Sequence, residues 1–261
     1  MASASPAVRF TGPDIAAVEH FRQHGWVLVR SLGPAATAQL RAWVDEVAGW
    51  PEENGLLHYR EMTDEGPKLC RSENFVPVHD GLRNLLTTGS MIETASALLG
   101  EPAVLYKEKI NYKLPGGAGY SPHQDAPAYP FIAVHVSCMV AIDDSSASNG
   151  CLEVVSGAHD ELLPVDDRGC IAADQAARLR WAPVEVEAGE TLWFHSRTPH
   201  RSGPNRSTTA RRALYPTYNA ASEGDLREEY YRHKLQELGS APGAERVQVS
   251  LIGDFEGRPV R

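Results

Sequence analysis

The chain has 261 residues, 42% hydrophobic and 23% charged, with a formal net charge of −9. That length holds one large domain or two small ones, and the acidic balance argues against nucleic acid or an anionic membrane as a general partner. Four cysteines, Cys70, Cys138, Cys151 and Cys170, lie far apart with no CxxC spacing. They read as reduced, buried thiols of a cytoplasmic protein rather than as disulfides or a zinc site. The opening MASASPAVRF has no apolar core of signal-peptide length, and no run in the chain reaches membrane-spanning length. The sequence assigns no oligomeric state.

In chain order, PDIAAVEHFRQHG predicts a helix with Ile15, Val18 and Phe21 on one face and Gly25 as its stop. WVLVRSL follows as a short strand. GPAATAQLRAWVDEVAGW is a second helix, with Pro34 in its first turn and Leu40, Val44 and Val47 on one face. Residues 52–80 are polar and irregular and read as a covering loop. MIETASALLG is a third helix, ended by Gly100. From Val104 the period changes to two: VLYKEKINYK, VHVSCMVAIDD, CLEVVSG, APVEVEAGETLWFH and RRALYPTYN are strands separated by turn residues, with a hairpin-type signal at Asn149-Gly150. Short strands at this spacing predict an antiparallel barrel or jelly roll. YYRHK near the end reads as an amphipathic surface helix. The expected organisation is one domain over 1–261, with a helical support region to about residue 100, a barrel core over about 101–220, and a C-terminal helix and tail over about 221–261.

The chemistry concentrates in two segments. GYSPHQDAPAYP puts His123 and Asp125 two residues apart, on one face if the segment is a strand. An isolated HxD is common, so a third ligand is required. FHSRTPHRSGPNRS supplies His200 after a strand, with His195 as a competitor five residues earlier. Two histidines and a carboxylate form the facial triad of non-haem iron(II) oxygenases, although a zinc hydrolase uses the same residue types. Arg211 follows His200 by 11 residues, on the next strand, where a guanidinium can fork onto a carboxylate.

These residues carry a resemblance that spans most of the chain. HFRQHGWVLVRSLGPAATAQLRAWVDEV, SPHQD, NGCLEVVSGAHD and VEAGETLWFHSRTPHRSGPNRS followed by Arg211 resemble, in order, the segments of the phytanoyl-CoA dioxygenase family of iron(II)/2-oxoglutarate oxygenases. The resemblance implies a double-stranded β-helix with helices packed outside it. It implies that His123, Asp125 and His200 bind Fe(II), that 2-oxoglutarate and O2 are cosubstrates, and that Arg211 pairs with the distal carboxylate of 2-oxoglutarate. Arg212 adjoins Arg211, so a one-residue register shift exchanges the two. Ser156 replaces the family's usual proline, and Arg201 follows His200 where the family often has glycine.

In KEKINYK, Lys107, Lys109, Asn111 and Lys113 share one face. Two readings stay open: a solvated face of an edge strand, or a face pointing into the barrel mouth. By the resemblance, Lys107 and Asn111 are candidates for 2-oxoglutarate contacts. Several segments, among them GLRNLL, KLCRSENFVP and the YYRHK tail, resemble the branch acting on small phosphonates, with Lys109, Gln124, Tyr120 and Arg201 as candidate substrate contacts and Lys68 and Arg71 as further cations. The presence of the carboxylate at Asp125 favours hydroxylation. Alternatives are a natural-product, amino-acid or betaine hydroxylase of the same family, or a cupin-like metal-binding protein without redox chemistry.

Overall fold

The computed structural model describes residues 7–63, 65–129 and 131–239. The start of the N-terminal segment and the tail expected beyond residue 239 lie outside the described residues. Within them the chain runs β1 (Arg9–Phe10), α1 (Ile15–His24), β2 (Trp26–Arg30), α2 (Pro34–Gly49), β3 (Leu57–Thr63), β4 (Gly66–Glu73), α3 (Asp80–Thr87), α4 (Gly89–Leu99) and β5 (Ala103–Lys113). It continues through β6 (Tyr120–His123), β7 (His135–Ala141), β8 (Leu152–Val154), α5 (Ala173–Ala176), β9 (Ala182–Val184), β10 (Glu190–His195), β11 (His200–Ser202), β12 (Arg211–Ala220) and α6 (Arg227–Gly239).

One sheet has the order β1-β2-β10-β7-β12-β5-β4-β3, the other β6-β11-β8-β9. From β5 to β12 the chain passes back and forth between them, which makes the two facing sheets of a double-stranded β-helix. Period-two alternation then divides the large sheet's side chains between two cores. Val27 and Val29 of β2, Cys138 and Val140 of β7, and Trp193 of β10 pack under the helices with Leu40, Val44 and Met91. Their neighbours Leu28, Met139, Leu192 and Phe194 face Leu152, Val154 and Val184 of the small sheet.

The helices end where the sequence signals them. Asp14 caps α1 by accepting from Ala17 N at 2.8 Å. Gly25 then closes it with φ of 78°, a left-handed conformation that a Cβ penalises. The buried face of α1 is Ala17 and Phe21, whereas Ile15 is 78% exposed, so Ile15 is not part of the packed face.

Four expectations are corrected. Residues 57–73 are a β3–β4 hairpin that extends the large sheet, and residues 80–87 are helix, so 52–80 is not one loop. Strand β5 is no edge, because it lies between β12 and β4. Asn149-Gly150 makes no hairpin; it turns the chain from β7 in the large sheet to β8 in the small one. Helix α6 is not simply a surface helix. Tyr230, Tyr231 and Lys234 are buried, Lys234 pairs with Glu73, and Arg227 reaches Glu108 at 2.8 Å.

Candidate metal centre

His123 and His200 face each other directly across the β6–β11 pair. Their ring centroids are 4.2 Å apart. Strand β6 ends at His123, and Asp125 lies beyond it in a helical turn with φ −72° and ψ −27°. The carboxylate therefore reaches the histidines through a bend rather than by strand alternation. One donor atom from each of His123, Asp125 and His200 falls within 4.8 Å of the others. Close backbone contact sets this spacing: a Cβ on Gly119 would lie 2.0 Å from Ser202 O, which only glycine avoids.

Both imidazoles are held in one tautomer. His123 Nδ1 donates to Ser121 O at 2.7 Å, and His200 Nδ1 donates to Thr198 O at 3.0 Å. A carbonyl only accepts, so each Nε2 presents a lone pair. Each Nε2 is 3.8 Å from Asp125 Oδ1. The other carboxylate oxygen, Oδ2, accepts from Ser137 Oγ at 2.9 Å. Burial, with His200 alongside, pushes His123 down to about 3. Burial alone would raise Asp125, but His200, His123 and Lys109 hold its carboxyl well below the usual range. With both imidazoles neutral the cluster offers two bare nitrogens and one carboxylate, a donor set that fits iron(II).

The centre opens onto a cavity lined by Lys107, Lys109, Asn111, Tyr120, Tyr215 and Thr217 among others. β5 supplies the lysines because its odd-numbered positions from Lys107 to Lys113 face the small sheet, whereas Ala103 and Leu105, beyond a register shift, pack under the helices. Lys107 lies opposite Thr217, Lys109 opposite Tyr215, Asn111 opposite Ala213, and Lys113 opposite Arg211. The reading of this face as solvated is thus corrected: Lys107, Asn111 and Lys113 are each less than a tenth exposed. Arg71 of β4 adds a further cation, donating to Asn111 Oδ1 and to Tyr120 Oη, each at 2.9 Å. That bond turns the Asn111 amide N–H2 away from Arg71.

Arg211 is buried, and Arg212 points outward to Asp143, with Nε at 2.8 Å from its carboxylate. The register question is answered in favour of Arg211 as the inward residue. Arg211 lies not in the metal cavity itself but in an adjoining one, with Lys113 and Glu61, and Asn111 and Tyr120 border both. Its Nη2 donates to Gly150 O at 3.1 Å, while its Nε is buried with no hydrogen-bond partner. A buried donor awaiting an acceptor fits a carboxylate ligand.

Other expected site residues are elsewhere. Arg201 is on the outer face of β11, bound to Glu153 at 2.7 Å and stacked 4.5 Å over Trp181. Gln124 is buried but faces the loops. It donates to Glu161 O and Arg197 O and accepts from Leu163 N. Lys68 is exposed beside Glu65. His195 accepts from Arg197 N and packs near His159, outside the triad. Lys107 and Arg211, grouped at the cosubstrate by the resemblance, lie apart on the β5–β12 pair: Arg211 is at its end opposite Lys113, and Lys107 is six residues along β5 from Lys113. Sequence reading missed Ser137, Tyr215 and Thr217 as lining residues. Counting strand parity from Arg211 reaches the last two.

The family model described as phytanoyl-CoA dioxygenase (PhyH) matches residues 21–213. A methylphosphonate hydroxylase of Gimesia maris is 45% identical over 249 residues, covering 94% of this chain and 96% of that protein. A 2-aminoethylphosphonate dioxygenase from an uncultured bacterium is 37% identical over 253 residues, covering 92% and 96%. The crystal structure of EctD from S. alaskensis with bound Fe superposes with a TM-score of 0.71 at 16% identity, over 81% of this chain and 79% of that one, a likeness of fold.

Proposed function

We propose, from the premise that the chain belongs to the phytanoyl-CoA dioxygenase family and is an iron(II)/2-oxoglutarate-dependent dioxygenase, that it hydroxylates an aliphatic C–H bond of a small phosphonate. The observation that carries this reading is the cationic wall of β5. Lys107 and Lys109 line the metal cavity in addition to Arg211 in the adjoining one. One dicarboxylate does not account for them. At about 3.3 Å per residue, Lys107 and Lys113 are separated by about 20 Å along the strand. 2-Oxoglutarate is too short to meet both ends. Buried lysines need an anion nearby, and a compact phosphonate dianion supplies it. The enclosed space, about 40 Å3, suits a compact substrate and not a carrier-bound acyl chain. Two curated relatives named for phosphonates support the same reading.

When bound, iron(II) and 2-oxoglutarate supply the oxidation: dioxygen and 2-oxoglutarate are consumed, succinate and carbon dioxide leave, and C–H becomes C–OH. The remaining work belongs to the chain. His123, Asp125 and His200 hold the ion, with Ser121 O, Thr198 O and Ser137 Oγ fixing their orientations. Arg211 receives the distal carboxylate of 2-oxoglutarate, with Asn111 beside it presenting amide N–H groups set by Arg71. Lys109 and Lys107 hold the phosphonate at the other end. Tyr120 closes the wall between the two. Four buried thiols without disulfides support a reducing, cytoplasmic setting, and the acidic chain supports a small-molecule partner rather than nucleic acid.

The test is succinate release with iron(II), ascorbate and a substrate panel. Methylphosphonate or a near analogue should stimulate it. Stimulation by a betaine, an amino acid or a carrier-bound acyl group, with no phosphonate effective, would refute the phosphonate assignment. Metal binding without succinate release from any of them would favour a non-redox protein.

A further inference from the structure

The lysine end of the cavity is backed by aromatic rings, and those rings are already occupied. Lys107 Nζ lies 4.3 Å from the ring centre of Tyr129 and 5.9 Å from that of Tyr230. Lys234 Nζ also lies against Tyr230, 5.8 Å from its ring centre, and 5.4 Å from that of Tyr59. Tyr59, Tyr129 and Tyr230 are each buried, at 1%, 6% and 5% exposure. An aromatic cage of this kind is what a protein uses to hold an ammonium ion. Here the ammonium groups are the chain's own.

The carboxylates near this end are committed too. Glu73 is buried between Lys234 and Arg71. Asp125 points Oδ1 at the two histidines and gives Oδ2 to Ser137. A substrate ammonium arriving beside Lys107 would find its aromatic faces covered, its carboxylate partners taken and a like charge in place. Phosphonates without an amino group meet none of these obstacles, and Lys107 remains available to their oxygens because it also lines the metal cavity.

We propose that Lys107 is a specificity-determining residue: its ε-ammonium fills the Tyr129–Tyr230 cage, so the enzyme accepts alkylphosphonates and rejects aminoalkylphosphonates. This rests on the phosphonate reading of the site and narrows it. Rejection here is by an occupied subsite and a repelling charge, the second way in which a site discriminates.

The test compares methylphosphonate, propylphosphonate and 2-aminoethylphosphonate. The last two have similar length and differ in a terminal methyl against an ammonium. Two readouts are taken: kcat/KM, and equilibrium binding under anaerobic conditions to protein loaded with iron(II) and 2-oxoglutarate. In the unaltered enzyme, propylphosphonate should exceed 2-aminoethylphosphonate by roughly 100-fold or more in both, the size expected for a like-charge juxtaposition. Lys107→Ala empties the cage, and Lys107→Met removes the charge while keeping most of the bulk. Lys107→Ala should lower the alkylphosphonate values and bring the ratio within about tenfold of unity. Lys107→Met should shift it less, because the cage stays filled.

Equal efficiency and affinity for propylphosphonate and 2-aminoethylphosphonate in the unaltered enzyme would overturn the inference while leaving the phosphonate function standing. Rejection of both in favour of methylphosphonate alone would also overturn it, since length and not charge would then decide. Failure of every phosphonate to bind or to stimulate succinate release would overturn the proposed function and this inference with it. The comparison in the unaltered enzyme needs no variant to fold.

Discussion

The two ends of the cation row on β5, from Lys107 to Lys113, hold their cations in different ways. At the Arg211 end the partners are oxygen atoms. Lys113 reaches Gly150 O, Ser202 Oγ and Gly203 O, and Arg211 reaches Gly150 O. At the other end, Lys107 and Lys109 lie against the rings of Tyr129 and Tyr215, with 4.3 Å and 5.4 Å to the ring centres. A lysine bound to three oxygens has used its donors, since an ammonium has three. One resting on a ring keeps its N–H groups for an anion. Lys113 thus braces the framework beside Arg211, whereas Lys107 and Lys109 leave charge for a substrate. Burial acts on both lysines of that second end. It pulls Lys107 down to about 8 and Lys109 well below its ordinary value, so an arriving anion stabilises their charged forms.

The largest expected effect lies between the ends. His123→Ala, Asp125→Ala or His200→Ala should abolish iron binding and reduce turnover to background at any concentration of phosphonate or 2-oxoglutarate, and a chelator should do the same to the unaltered protein. His195→Ala is the contrast and should retain activity; its loss, with His200→Ala active, would move the third ligand. The next effect separates the ends. Arg211→Ala should raise the KM for 2-oxoglutarate by roughly 30-fold or more, from about 2–5 kcal/mol for a truncated buried charge pair, with little change in phosphonate affinity. Arg212→Ala should leave kinetics alone and cost about 1 kcal/mol or less of stability from its pairing with Asp143. A kinetic defect in Arg212→Ala matching that of Arg211→Ala would erase the distinction between inward and outward positions.

Smaller again is Lys109→Met. One charge-assisted hydrogen bond is worth about 1.5–3 kcal/mol, so phosphonate kcat/KM should fall roughly ten- to hundredfold, with KM for 2-oxoglutarate unchanged and unproductive succinate release persisting. Arg201→Ala, on the outer face, should change neither. If Arg201→Ala matches Lys109→Met, the outer placement carries no meaning for substrate binding.

The smallest effect is on pH-dependent stability at the α6 side. Burial would raise Glu73, but Lys234, Arg71 and Lys107 bring it down to about 2. A carboxyl depressed in the folded state contributes stability that is present above its unfolded value near 4.5 and is lost as pH falls towards 2. Melting temperature should therefore drop through that window. In Glu73→Gln, the protein should start less stable at neutral pH, because Arg71 and Lys234 lose their counter-charge, and show a shallower acid slope. An unchanged slope would mean that Glu73 is not the group titrating there.

The triad and Arg211 were legible because their residue types are rare in combination and their order along the chain is informative. The bend that delivers Asp125 was not, since HxD reads equally well as strand alternation. KEKINYK left two readings because an alternating charged strand looks the same whether it faces water or a barrel interior. Only its partners β12 and β4 decide, and pairing is non-local. The β3–β4 hairpin escaped for a related reason. Its buried positions include Glu61, Arg71 and Glu73, polar groups packed beside the cavities and their cations, so the apolar alternation that marks a strand is missing. Ser137, Tyr215 and Thr217 carry no distinctive chemistry and became visible only through strand parity. The cations over the tyrosines depend on α6, whose Tyr230 and Lys234 come from a segment that reads as surface.

The contact at Gly119 ties the metal to the architecture. With no Cβ there, the backbone entering β6 closes on Ser202 O, and four residues later His123 meets His200. An ion held by His123, Asp125 and His200 is then a staple joining β6, β11 and the turn after β6. By mass action, anything that binds the folded arrangement alone stabilises it, by about 2.7 kcal/mol at a hundred times the dissociation constant. Metal affinity and the cohesion of the small sheet are thus one equilibrium seen from two sides. A methyl group at position 119 would weaken the grip on iron without altering a single ligand.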